Sequence, residues 1–203
     1  MARMLTDVVG GRTTKATVRR DALISRIIDV LLEEGFLDLS LEDVARKLRC
    51  SKSTLYTIAS SKEQLLITVI RAFFRRAAER IELDIAASDD HERITIYLMA
   101  ISRELAPASS LFFADIDAFP PTREIYRNNT RIAAERVRQL VIEAVPESAL
   151  VDPTFLGAVA GQIMEAIHRG DIETASHLDD SAAYRALATL IAAGVSASTK
   201  GAS

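Results

Sequence analysis

The chain has 203 residues, with 25 Lys and Arg against 28 Asp and Glu and a net charge of −3, and its 49% hydrophobic content is enough for a buried core in one large domain or two small ones. A single cysteine, Cys50, excludes a disulfide framework within the chain and fits a reducing cytoplasm. The longest apolar run, 186–195, is too short to span a bilayer, and no secretory leader is legible, so no membrane partner is expected.

Five Pro, eight Gly and no alternating strand pattern predict an all-α fold of about nine helices. Charge is uneven along it: residues 1–76 carry 14 basic and 9 acidic side chains, and residues 77–203 carry 11 and 19. Only the N-terminal part is suited to approach a polyanion. Residues 1–19 are basic, are broken by Gly10-Gly11, and read as a flexible arm, with contact to phosphate or a minor groove as its functional alternative. Leu23, Ile24, Ile27, Ile28, Leu31 and Leu32 then recur at helical spacing, predicting a helix over 21–34 that Gly35 ends.

Residues 40–66 carry the most specific pattern. Ser40 is placed to cap a short helix, with Asp43 three residues on and Leu41, Val44, Ala45 and Leu48 on one face. Arg49-Cys50-Ser51 breaks that face. Ser51 caps a second helix in which Leu55 and Ile58 turn inward, and Ser61 caps a third, with Gln64 at the capping-box position. Two short helices across a tight turn make a helix-turn-helix, whose second helix offers short polar and basic groups to a major groove. Lys52 and Lys62 are suited to phosphates. Ser40, Ser51, Ser53, Thr54 and Thr57 are suited to phosphate or base edges, and Tyr56 can reach a phosphate with its hydroxyl. The bland alternative is a solvated helical hairpin.

Gly35-Phe36, Leu41 to Ala45, Ser51 to Tyr56 and Ser61 to Leu66, taken together and without gaps, resemble the TetR family of transcriptional regulators. The resemblance implies a DNA-binding domain over 20–66 and a ligand-binding and dimerisation domain over 67–195; residues 196–203 read as a frayed tail. It also implies a homodimeric repressor on double-stranded DNA, released from a pseudo-palindromic operator by a small molecule. The family usually has Gly in the turn, where this chain has Arg49, and a His-Phe pair where it has Ile58-Ala59. The other reading is a helical ligand-binding or scaffold protein whose helix-turn-helix no longer reads DNA.

Beyond the helix-turn-helix, a long helix over 61–84 carries Leu65, Leu66, Val69, Ile70, Phe73, Ala77 and Ile81 as its apolar stripe. Helices follow over 92–105, 109–119 and 121–145, punctuated by Pro107, Pro120-Pro121 and Pro146. The last two helices, 153–168 and 180–195, interleave small residues with Leu, Val and Ile, which suits close helix packing; the resemblance implies that they pair with their copies in a second subunit. Candidates for the wall of a ligand pocket are Phe73, Tyr97, Met99, Ile101, Phe112, Phe113, Ile116, Phe119, Tyr126, Met164 and His168, each equally suited to a core. Their chemistry favours an apolar or aromatic ligand. No Gly-rich phosphate loop, Gly-x-Ser-x-Gly or Cys-x-x-Cys is present, so neither an enzyme nor a cofactor is expected. Glu165 and His168 share a helical face but form only half of a di-metal motif, which leaves a metal-sensing alternative through His168, His177 and nearby carboxylates without a fixed ligand set.

Overall fold

The computed structural model describes residues 15–89, 92–144 and 152–200, and these residues form helices and connections without a strand. The elements are α1 (Lys15–Glu34), α2 (Leu41–Lys47), α3 (Lys52–Tyr56), α4 (Lys62–Ala86), α5 (Arg93–Leu105), α6 (Ser110–Ala118), α7 (Pro120–Ala144), α8 (Pro153–His168), α9 (Asp171–Ser176) and α10 (Asp180–Lys200). Three expectations are corrected. The first helix begins at Lys15, so the part of the basic arm from 15 to 19 is helical, while residues 1–14 lie outside the described residues. A short extra helix, α9, follows the left-handed Gly170, bringing the helices among the described residues to ten. The last helix continues to Lys200, so residues 196–200 are not a frayed tail. Pro146 also falls outside the described residues.

Side-chain caps fix the starts of the helices. Ser40 accepts the Asp43 N–H at 3.1 Å while the Asp43 carboxylate accepts the Ser40 N–H at 3.0 Å, a reciprocal capping box. Ser51 caps α3 through the Thr54 N–H, Ser61 caps α4 through the Gln64 N–H, and Ser109 caps α6 through the Phe112 N–H. Asp152 takes both the Thr154 and Phe155 N–H groups, with Pro153 in the first turn of α8.

The turn between α2 and α3 is a Schellman motif. The Cys50 N–H donates to the Ala45 carbonyl at 2.9 Å and the Arg49 N–H to the Arg46 carbonyl at 3.1 Å. Arg49 therefore stands where glycine is favoured, at φ 50°.

Two apolar clusters make the interior. One packs α1, α2 and α3 against the first half of α4, and it also takes in Phe112, Phe113 and Ile116 of α6 and Tyr126 of α7. The other joins the second half of α4 to α5, α7, α8 and α10. Helix α4 is common to both. Within the second cluster α7 lies so close to α8 that a Cβ on Gly157 would stand 2.8 Å from the Arg138 Cβ and 3.2 Å from the Ala134 carbonyl oxygen. Part of the small-residue stripe of α8 thus serves packing within the chain. No helix among the described residues is long and apolar enough to cross a membrane.

Candidate nucleic-acid interface and ligand cavity

The polar residues singled out on the helix-turn-helix divide into those committed to the fold and those facing out. Ser40 and Ser51 spend their hydroxyls as caps, and Ser51 Oγ also lies 2.7 Å from Ser53 Oγ and 2.9 Å from Thr54 Oγ1. Thr57 returns its hydroxyl to the Thr54 carbonyl at 2.6 Å, which leaves its methyl and an oxygen lone pair outward. Tyr56 is 49% exposed although its neighbour Leu55 is sealed in the core. Lys62 donates to the Leu37 carbonyl at 2.6 Å, so it ties α4 to the loop before α2 and is less available to a phosphate than its position suggests. The Lys52 ammonium is held by the Glu42 carboxylate of α2, which lowers the glutamate pKa and raises that of the lysine.

Sequence spacing missed that Glu42 faces Lys52, because their separation is set by the angle between two helices rather than by one helical period. It also treated Arg49 only as a turn residue, whereas its side chain is exposed beside the start of α3. Ile58 turns into the core, where a helical reading places it, and Ala59 packs at the core margin.

Further along α4, its second half joins α5, α7, α8 and α10 around a cavity of about 290 Å³. Phe74, Ala77 and Ile81 form the α4 wall, faced by Ile101, Leu105 and Met164. Tyr97, Tyr126 and Tyr184 complete the interior. Burial pushes all three phenols above their usual range, so they stay neutral. Charged residues gather at the rim, where Glu82 meets Arg136 at 3.1 Å.

The comparisons with known proteins follow this division. Residues 23–69, from α1 into α4, match the family model described as bacterial regulatory proteins, tetR family. The N-terminal domain is a TetR-type DNA-binding domain. The fold extends the likeness beyond that domain. A TetR/AcrR-family transcriptional regulator from Thermobifida fusca is 25% identical, with a TM-score of 0.60 over 86% of this chain and 97% of that one. A TetR-family regulator from a Rhodococcus species is 19% identical, with a TM-score of 0.62 over 87% and 98% of the two chains. A transcriptional regulator from Saccharomonospora viridis, solved in complex with choline, is 14% identical, with a TM-score of 0.67 over 87% and 96%. Among curated proteins, none matches the sequence.

The expected pocket residues separate into four groups. Tyr97, Ile101, Tyr126 and Met164 line the cavity. Phe73, Phe112, Phe113 and Ile116 lie in the core beneath the helix-turn-helix, with Phe119 at its margin. Met99 is 39% exposed and outside the wall. His168 sits behind the cavity. It stacks on Tyr126 at 3.7 Å and stands edge-on to Phe113 at 4.3 Å, with both ring nitrogens buried and unpartnered among the described residues. Periodicity shows which face of a helix is buried but not which of two cores receives it, and α6 is committed to the N-terminal one. Phe74, Glu82, Arg136 and Tyr184 also line the cavity, and nothing in the helical spacing singles them out. His168 and His177 belong to no group of three or more His, Cys, Asp and Glu side chains able to hold a metal among the described residues.

Proposed function

We propose that the chain is a TetR family regulator, a cytoplasmic homodimeric repressor that a small molecule releases from a pseudo-palindromic operator. The observation that carries this reading is the span of α4: it begins at Ser61, beside the recognition helix, and its second half is a wall of the cavity. A ligand that shifts that wall moves the start of α4 and, with it, the separation of two recognition helices that must enter successive major grooves about 34–36 Å apart. Such coupling is reciprocal, so the DNA-bound dimer binds the inducer more weakly than the free one. The exposed groups of α3, Ser53, Thr54, Tyr56 and Thr57, would meet the groove, with Lys52 on phosphate.

A second copy would pack against α8 and α10, the helices over 153–168 and 180–195. Phe155 at 66% exposed and Leu190 at 62% exposed stand there among small residues, a combination that suits a helix bundle between subunits. That a regulator of this fold holds choline supports a small-molecule role for the helical domain in general.

The test is selection of bound fragments from the source genome by the purified protein at two salt concentrations. An enriched inverted repeat supports a dimeric sequence reader. Binding that is weak, independent of sequence and abolished by salt overturns the operator reading.

A further inference from the structure

Four of the five formal charges on the wall of the cavity, all but that of the exposed Arg131, are paired within the protein. Arg136 lies between Glu82 at 3.1 Å and Glu143 at 3.4 Å. Glu104 is held by Arg80, whose Nε is 2.9 Å away, and by Arg103 at 3.3 Å. Glu135 is taken by Arg138 through Nε at 2.8 Å. Arg131 donates to Asn128 at 3.0 Å and adds to the field that keeps the Glu135 carboxyl low. Arg131 lies at the solvent-exposed edge, so a charged group drawn into the interior, among Phe74, Ile81, Ile101 and Met164, would be unpaired there or would have to break one of the ion pairs, and either is costly.

The polar groups inside are of a different kind. Tyr97, Tyr126 and Tyr184 converge closely enough that the Tyr184 phenol feels the other two. Tyr97 and Tyr184 have no hydrogen-bond partner among the described residues, and Tyr126 has Thr130 beside its hydroxyl. A neutral phenol donates one hydrogen and accepts in return. The interior therefore offers donors to a neutral oxygen and no charge to an ion.

We propose that the cavity selects an uncharged ligand of one or two rings bearing a hydroxyl or carbonyl oxygen, bound by the phenols of Tyr97, Tyr126 and Tyr184. The volume of about 290 Å³ stands at the small end of ligand pockets and sets the size. The proposal rests on the reading of this cavity as the inducer site.

The test uses the full chain and three probes of one shape: naphthylmethanol, naphthoate and naphthylmethylammonium, titrated by calorimetry. Naphthylmethanol binds at least about tenfold more tightly than either ion, because each ion loses its hydration without gaining a free counter-charge. Tyr184→Phe keeps the ring and removes one hydroxyl, and it weakens naphthylmethanol by about three- to tenfold, with Tyr97→Phe acting in the same direction. Thermal melts confirm that both variants fold. If naphthoate or naphthylmethylammonium binds as well as the alcohol, the ligand class is overturned while the cavity remains an inducer site. If the alcohol binds best but neither Phe variant weakens it, the phenols are not its partners and the proposal fails. If none of the three binds, the proposal and the inducer reading of the cavity both fall, and the DNA-binding reading stands untouched.

Discussion

Asp115 of α6 and Phe36 of the loop before α2 are joined by a buried hydrogen bond, in which the carboxylate accepts the Phe36 backbone N–H. The Leu37 N–H donates to the same oxygen at 2.9 Å, and the Ser109 N–H, at the start of α6, donates to the Leu32 carbonyl at 2.8 Å. One carboxylate from the second half of the chain therefore holds the loop that enters the helix-turn-helix. Asp115→Ala leaves one buried and one partly buried amide without this partner and lowers unfolding free energy by about 2–4 kcal/mol. Asp115→Asn retains an acceptor oxygen and costs less than half of that. Urea unfolding of both variants measures the difference; equal losses would mean that Asp115 acts by packing alone.

Two residues in the left-handed region respond in opposite directions to substitution. Gly35, at φ +72°, faces Asp115 so closely that a Cβ would stand 2.6 Å from Asp115 Oδ2 and 2.7 Å from Leu111 Cγ. Gly35→Ala combines backbone strain with that clash and costs about 2–4 kcal/mol. Arg49, at φ 50° in the Schellman turn, bears the strain without such a neighbour to need it. Arg49→Gly stabilises by about 0.5–1 kcal/mol, read as a rise of a few degrees in Tm.

These positions show how far the sequence could be read. The caps at Ser40, Ser51 and Ser61 are local events, written within four residues, and they were legible together with the all-helical class. The role of Asp115 was not, because its partners Phe36 and Leu37 are 79 and 78 residues away. The same limit divided the aromatic residues. Tyr97 and Phe113 show the same apolar periodicity, yet one lines the cavity and the other packs beneath the helix-turn-helix. Which core receives a face depends on helix crossing, and no period in the chain encodes that directly.

The Glu42–Lys52 pair sets the electrostatics of the proposed DNA face. Lys52 opens α3, whose exposed groups are the proposed groove contacts, and in the free protein it is shared with a carboxylate. Glu42→Gln releases it, tightens binding to DNA of any sequence several-fold at low salt, and loses that advantage as salt rises. Lys52→Ala weakens binding uniformly and lowers the slope of log K against log salt by about one if the lysine neutralises one phosphate. Fluorescence anisotropy across a salt series measures both. A Glu42→Gln protein with unchanged affinity would show that Lys52 stays clear of the backbone.

His168 makes the fold sensitive to acid. Burial, reinforced by Arg169, depresses its pKa from 6.5 to about 4. Its stacking on Tyr126 at 3.7 Å and its edge-on contact with Phe113 at 4.3 Å surround the ring with aromatic carbon. A histidine whose folded pKa lies below its unfolded value favours the folded state fully above the unfolded pKa, and that contribution is lost as pH falls through the window from 6.5 to about 4. Between about pH 7 and pH 5 the loss from this one group is about 2 kcal/mol, because the unfolded chain takes up a proton that the folded chain refuses. His168→Phe keeps an aromatic ring in the stack and titrates in neither state. Urea unfolding at the two pH values should show the variant losing about 2 kcal/mol less than the parent protein. Equal losses would mean that His168 can be protonated in place, by water reaching its ring nitrogens or by a shift of Tyr126 away from the stack.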